Sequence, residues 1–130
     1  MSQPIENYHF CDDEKYGKAT VIDVAAEVAG RADEYFNQAL TTVNDAAVRL
    51  SVMEGEYHWH KHDTGDEFFL VLDGELFIDL ADRDTVVLGR HSAYTVPRGI
   101  THRTRAHRRC IALVIDPATA PPAGTSTPAQ

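Results

Sequence analysis

The sequence predicts an all-β fold, a sandwich or small barrel of short strands, and three observations carry that expectation. Val48, Leu50 and Val52 alternate with Arg49, Ser51 and Met53, the period of two that marks a strand. Residues 68–72 form a continuous apolar run, as in a strand covered on both faces, and Asp73-Gly74 makes a hairpin turn into a second strand at 76–80. Further short runs with turn signals between them follow at intervals of about 8–12 residues, the rhythm of a sandwich or barrel.

Taken in order, residues 1–20 are polar and mixed and are expected to form an arm with little structure of its own. Asp23 can cap a short helix through Ala25, Ala26, Val28 and Ala29 that Gly30 stops; it is too short to stand alone and must pack on something. Strands begin after Glu34. Beyond the hairpin they are expected at 85–88, 92–96, 101–106 and 110–115, with turns at 82–84 and at Pro97-Arg98-Gly99. The tail from Pro117 holds four of the six prolines and cannot bury enough apolar area to fold alone. The expected division is 1–44 for arm, short helix and first strand, 45–116 for the barrel, and 117–130 for the Pro/Ala-rich tail.

Composition narrows the function classes. The chain has 130 residues, one domain by length, with 12 Lys+Arg against 20 Asp+Glu for a net charge of −8. Such an acidic chain lacks the basic footprint of a nucleic-acid binder. No apolar run approaches the roughly 20 residues of a membrane span, and residues 1–17 lack the basic-then-apolar pattern of a signal peptide. Two cysteines, Cys11 and Cys110, make no disulfide framework, so a cytoplasmic location is expected. Seven histidines in so short a chain stand out.

Three of them, His58, His60 and His62, share one face of an extended strand. Glu67 opens the next strand, and an antiparallel return brings its carboxylate back beside them. His102 follows the Pro97-Arg98-Gly99 turn about forty residues downstream. Imidazoles aimed together into a barrel have little packing rationale and a strong one as ligands of a borderline metal ion.

The spacings His60-x-His62-x4-Glu67-x6-Gly74 and Pro97-x-Gly99-x2-His102 resemble the two cupin motifs, in the right order, over roughly residues 45–116. The resemblance implies a small single-domain cupin: a jelly-roll β-barrel holding one divalent transition metal ion (Zn, Fe, Mn, Ni, Co or Cu) through His60, His62, Glu67 and His102. Two positions depart from the pattern. Gly55 sits one residue off, and His91 stands where a glycine is expected after Leu88-Gly89, so that turn is expected to be altered and His91 is not assigned as a ligand.

The remaining assignments follow from strand parity. His58, one step from the paired ligands, is the candidate for acid/base work. Phe69 shares the face of Glu67 and is expected to line the substrate pocket, with Tyr94 beside it. If His102 points inward, Arg103 and Arg105 point outward, leaving Arg98 as the one arginine expected near a substrate. Trp59 is expected on the outer face and Cys110 in the core. Family resemblance does not fix a reaction. The first reading is a metal-dependent enzyme acting on a small organic molecule, by dioxygenase, isomerase, lyase or cyclase chemistry. The alternative is a non-catalytic small-ligand-binding or metal-dependent sensing module. A homodimer is expected, because an open barrel leaves edges and apolar faces that a two-fold partner covers.

Overall fold

A single long strand organises the chain. In the computed structural model, which describes residues 2–118, β8 (His102–Pro117) runs antiparallel to β3 (Ala46–Glu56) along one edge. Along its other edge it pairs first with β5 (Leu76–Leu80) and then with β4 (Glu67–Asp73). The sheet continues outward from β3 through β2 (Tyr35–Val43) to β1 (Tyr8–Cys11), from β4 to β7 (Ala93–Val96), and from β5 to β6 (Arg83–Leu88). Strands expected separately at 101–106 and 110–115 are therefore one element. Cys110 pairs with Met53 and Ala106 with Gly55, so His107, Arg108 and Arg109 bulge from the ladder without ending it.

Alternation along these strands separates two apolar layers. Met53, Phe69, Val71, Leu76, Ile78 and Val114 belong to the barrel core, while Phe36, Leu40, Leu50 and Val52 form a second buried cluster. That second cluster lies on the outer face of β2 and β3, where the N-terminal region covers it. Tyr16, Ile22, Val24 and Val28 pack there, the last two from α1 (Val24–Val28). The Asp23 carboxylate accepts from the Ala26 N–H at the start of α1.

The arm is more structured than its polar composition suggests. β1 pairs in parallel with β2, and beyond it the Lys15 and Tyr16 N–H groups donate to Ala39 O and Leu40 O at 3.1 and 2.9 Å. Gln38 Nε2 donates to Asp13 O at 3.2 Å from the buried side. Tyr8 and Phe10 of β1 pack against the barrel core and Cys11 against the second cluster, an alternation too short at four residues to read as a strand from sequence; its order comes from this packing and from the edge of β2 that it satisfies.

The turn after β6 is also made differently from the expectation. His91 itself takes the left-handed conformation, φ +70°, and its N–H donates to Val71 O at 2.7 Å. The histidine thus accepts the backbone shape a glycine favours, at a cost of about 1 kcal/mol, and its side chain stays exposed. Of the expected tail, Pro117 ends β8 and Ala118 follows it; residues 119–130 lie outside the described residues. Among the described residues no helix is long and apolar enough to cross a membrane.

Gly74 turns β4 into β5 at φ +87°, and a Cβ there would come within 2.7 Å of Arg109 O on β8. Gly74→Ala should lower the melting temperature by at least about 4 °C, since strain alone is worth about 1 kcal/mol. Gly89→Ala, where nothing lies within 4 Å, should leave it nearly unchanged. Equal melting temperatures for the two variants in a calorimetric scan would contradict this placement of the hairpin.

Candidate metal centre

Three stretches of chain deliver the ligand residues. β3 ends at Glu56, so His58, His60 and His62 are not on one continuous strand as the parity reading assumed. They lie on an irregular segment stitched to the start of β8: His60 N–H donates to His102 O at 2.9 Å, and His102 N–H to His60 O at 2.8 Å. Gly99 N–H donates to His62 O at 2.8 Å, fixing the segment to the turn before β8. Glu67 is the first residue of β4. The potential ligand atoms of His60, His62, Glu67 and His102 all lie within 4.8 Å of one another.

The ring nitrogens are already sorted. His60 Nδ1 lies 2.9 Å from His58 O and His102 Nδ1 2.8 Å from Ile100 O. These bonds to carbonyl oxygens place the proton on Nδ1 and leave Nε2 as a lone pair. His102 Nε2 then faces Glu67 Oε1 at 3.1 Å, acceptor against acceptor. His62 Nε2 is also 3.1 Å from that oxygen but out of hydrogen-bond alignment, and it is a buried nitrogen without a partner among the described residues. Several lone pairs converging on one point call for a cation. At His60 a proton is a poor answer, because burial holds that imidazole down at about 3 and so uncharged at neutral pH, whereas at His62 the Glu67 carboxylate outweighs burial and raises the imidazole.

A divalent ion answers all of them at once. The donor set, three imidazole nitrogens and one carboxylate oxygen, suits borderline metals from manganese to zinc. Burial would raise the Glu67 carboxyl, and the His102 and His62 imidazoles lower it by more where they carry a proton at Nε2; a divalent ion at the same point would do likewise.

The centre opens into a narrow cavity whose walls include His60 and Glu67, with about 30 Å³ open to the centre of a water-sized sphere. Its lining mixes apolar side chains, among them Met53, Phe69, Leu76 and Val114, with polar ones, Tyr35, Asn37, Arg49, Ser51, Thr104 and Asp116. Burial, with Glu67 nearby, pushes the Asp116 carboxyl up to about 6.

Other site expectations fare unevenly. Phe69 lines the cavity. Tyr94 stands opposite Phe69 on β7 but packs into the apolar core and is not part of the lining, because β7 lies one strand further from the centre. Arg98 is exposed; what the turn contributes is its backbone N–H, which donates to Asp66 Oδ1 at 2.9 Å. His58 is half-buried beside the centre, its ring 5.6 Å from that of His60, with Nδ1 3.3 Å from the Tyr8 hydroxyl. Its Nε2 is buried with no partner among the described residues, and burial lowers its pKa. Arg103 and Arg105 lie outside the barrel on Asp79, and Trp59 is 41% exposed under Arg103. The cavity's cation is thus Arg49 rather than Arg98. Parity from Met53 or Ser51 along β3 marks it as inward, but a charged residue between Val48 and Leu50 reads more simply as solvent-facing.

Comparison with known proteins agrees with this geometry. The cupin domain family matches residues 48–116. The chain belongs to the cupin family. Its relatives include the uncharacterized protein YdbB of Bacillus subtilis (strain 168), 43% identical over 84 residues, which span 65% of this chain and 74% of that one. Among solved structures, a cupin-2 domain containing protein of Shewanella frigidimarina is 29% identical with a TM-score of 0.69, over 75% of this cupin and 94% of that chain. A cupin superfamily protein of Desulfitobacterium hafniense shares the fold at 20% identity and a TM-score of 0.64, over 77% of this chain and 92% of that one.

Metal content follows from the donor set. The purified protein should carry close to one divalent ion per chain by elemental analysis, and His62→Ala should lower retention at least about tenfold. Stripping the ion with a chelator should lower the melting temperature, because an ion that binds only the folded state stabilises it. Unchanged metal content in the variant would remove these residues from the ligand set.

Proposed function

We propose that this cupin is a metal-dependent enzyme acting on a small organic molecule, with chemistry of the dioxygenase, isomerase, lyase or cyclase type. The observation that carries the reading is the convergence of His60, His62, Glu67 and His102 at the edge of a cavity lined by both polar and apolar side chains. A divalent ion bound there supplies Lewis acidity to a carbonyl or hydroxyl oxygen.

The chain's own residues do the rest. Carbonyl oxygens of His58 and Ile100 hold the His60 and His102 rings in the ligating orientation. Met53, Phe69 and Val114 exclude water from one side of the reacting molecule. His58 is the acid/base residue in this reading: uncharged at neutral pH, it can accept a proton at Nε2 and return it.

The smallness of the enclosed space favours a second reading, a module that captures a small ligand without turning it over. Oxygen uptake and product analysis with the Fe(II)-loaded protein and a panel of small carbonyl and phenolic compounds separate the two. Turnover is expected, and His58→Gln should lower kcat by about 100-fold with metal content intact. Binding without turnover across the panel would favour the module.

We also propose a homodimer. Phe68 and Leu70 of β4 lie opposite Ile115 and Leu113 of β8 on the outer face, only partly buried, and α1 covers the neighbouring region instead. A two-fold copy over this face buries them. Light scattering at micromolar concentration should give twice the chain mass of 14.4 kDa.

A further inference from the structure

The barrel floor holds a guanidinium that the metal centre does not use. Arg49 points inward from β3, is 4% exposed, and lines the same cavity as His60 and Glu67. Its Nε donates to Asp116 Oδ1 at 3.3 Å, and its Nη1 to Asp12 Oδ1 at 3.4 Å and Asn37 Oδ1 at 3.5 Å. All three are long for charge-assisted bonds, which close to about 2.7–2.9 Å. Nη2 donates to no partner among the described residues.

The outer face of the same barrel gives the contrast. There Arg103 Nε and Arg105 Nε reach Asp79 Oδ2 at 2.8 and 2.7 Å. The chain thus closes its Arg–Asp pairs fully at Asp79, a buried carboxylate under two partly exposed arginines. Inside, where a poorly paired charge is costliest, it holds the guanidinium loosely and leaves donors of its planar fork free.

Charge and shape point the same way. Among the lining residues Glu67 and Asp116 bring two negative charges, against three positive ones from Arg49 and a divalent ion; Asp12, which Arg49 also touches, is half-exposed, so solvent screens it and it offsets that surplus of one only in part. Around the guanidinium Asn37 and Ser51 are polar, while Met53, Phe69 and Val114 offer an apolar wall.

We propose that Arg49 anchors the ligand of this site, and that the ligand is a small monocarboxylate whose head group takes the free edge of the guanidinium and whose short apolar body lies against Met53, Phe69 and Val114. The charge surplus rests on the metal-dependent reading above; the pairing with Arg49 does not. Arg49 is the specificity-determining residue, and the molecule excluded is the neutral or cationic analogue of the same shape.

Ligand-observed NMR on the full chain tests this, with butyrate and the near-isosteric neutral butyramide as probes and the protein both metal-free and zinc-loaded. Butyrate should bind at least about tenfold more tightly than butyramide in both forms, and more tightly in the zinc form than in the metal-free one. Arg49→Gln should abolish the preference and Arg49→Lys should reduce it, with zinc content and circular dichroism unchanged in both. Equal binding of acid and amide, no detectable binding of butyrate, or a preference that survives in a folded Arg49→Gln variant would overturn the proposal. If Arg49→Gln does not fold, the acid-against-amide comparison in the unaltered protein decides alone. A preference that depends on Arg49 in protein that takes up no zinc would keep the anchor and refute the metal centre. Zinc uptake without any preference would do the reverse.

Discussion

Because β8 bonds to β3 on one side and to β5 and β4 in turn on the other, one alternation sets the interior of the whole barrel. The parity that aims His102 at the metal centre also aims Thr104 and Ala106 inward, and it survives the bulge at His107–Arg109 to bring Cys110, Val114 and Asp116 inside. A one-residue slip in this strand would exchange those residues for arginines and isoleucines. The register is therefore held from both edges at once. The most exposed part of the strand, the bulge itself, is tied down by Arg109, whose guanidinium donates to Val28 O and Arg31 O in the N-terminal segment.

That constraint explains how a small barrel tolerates so polar an interior. Arg49, Asp116, Asn37, Glu67 and three imidazoles would destabilise an ordinary core of this size. Here the outer face of β2 and β3 makes a second buried layer from Phe36, Leu40, Leu50 and Val52, closed by α1 and the arm. Apolar burial lost inside is offset outside. Asp79 contributes from the outer surface as well. Burial would raise its carboxyl, but Arg105, Arg103 and Thr85 hold it well below the usual range, tying β5 to β8 beside the metal centre.

The cluster that could hold a metal was legible in the sequence because its spacing is a local signal: two histidines two apart, a glutamate five further on, and a histidine after a Pro-x-Gly turn. The hairpin at Asp73-Gly74 was legible for the same reason. What was not legible depended on distant partners. β1 is ordered by the edge of β2 and by the core that Tyr8 and Phe10 enter, and β8 is one strand only because β3 runs beside it past the bulge. Arg49 sits in a strand whose apolar residues face away from the barrel axis, an inversion that follows from the covering layer and not from the strand itself. Arg98 was placed near a substrate from sequence adjacency to His102, and the turn spends that adjacency on a backbone bond to Asp66 instead.

The division between legible and hidden residues matches a division of labour. Residues that position a metal must lie within a few ångströms of one point, and a short segment crossed by one strand achieves this with fixed spacing. Residues that choose a ligand need only line the same cavity, and β2, β3 and β8 can supply them from many positions. A cupin barrel can therefore keep one metal centre while its floor is rewritten strand by strand, with no trace in the motif. In this chain a loosely paired guanidinium shares its cavity with Met53, Phe69 and Val114, a combination that an anionic head on a small apolar body would match. Selection among ligands then resides in β2, β3 and the end of β8, and the motif residues supply only the chemistry.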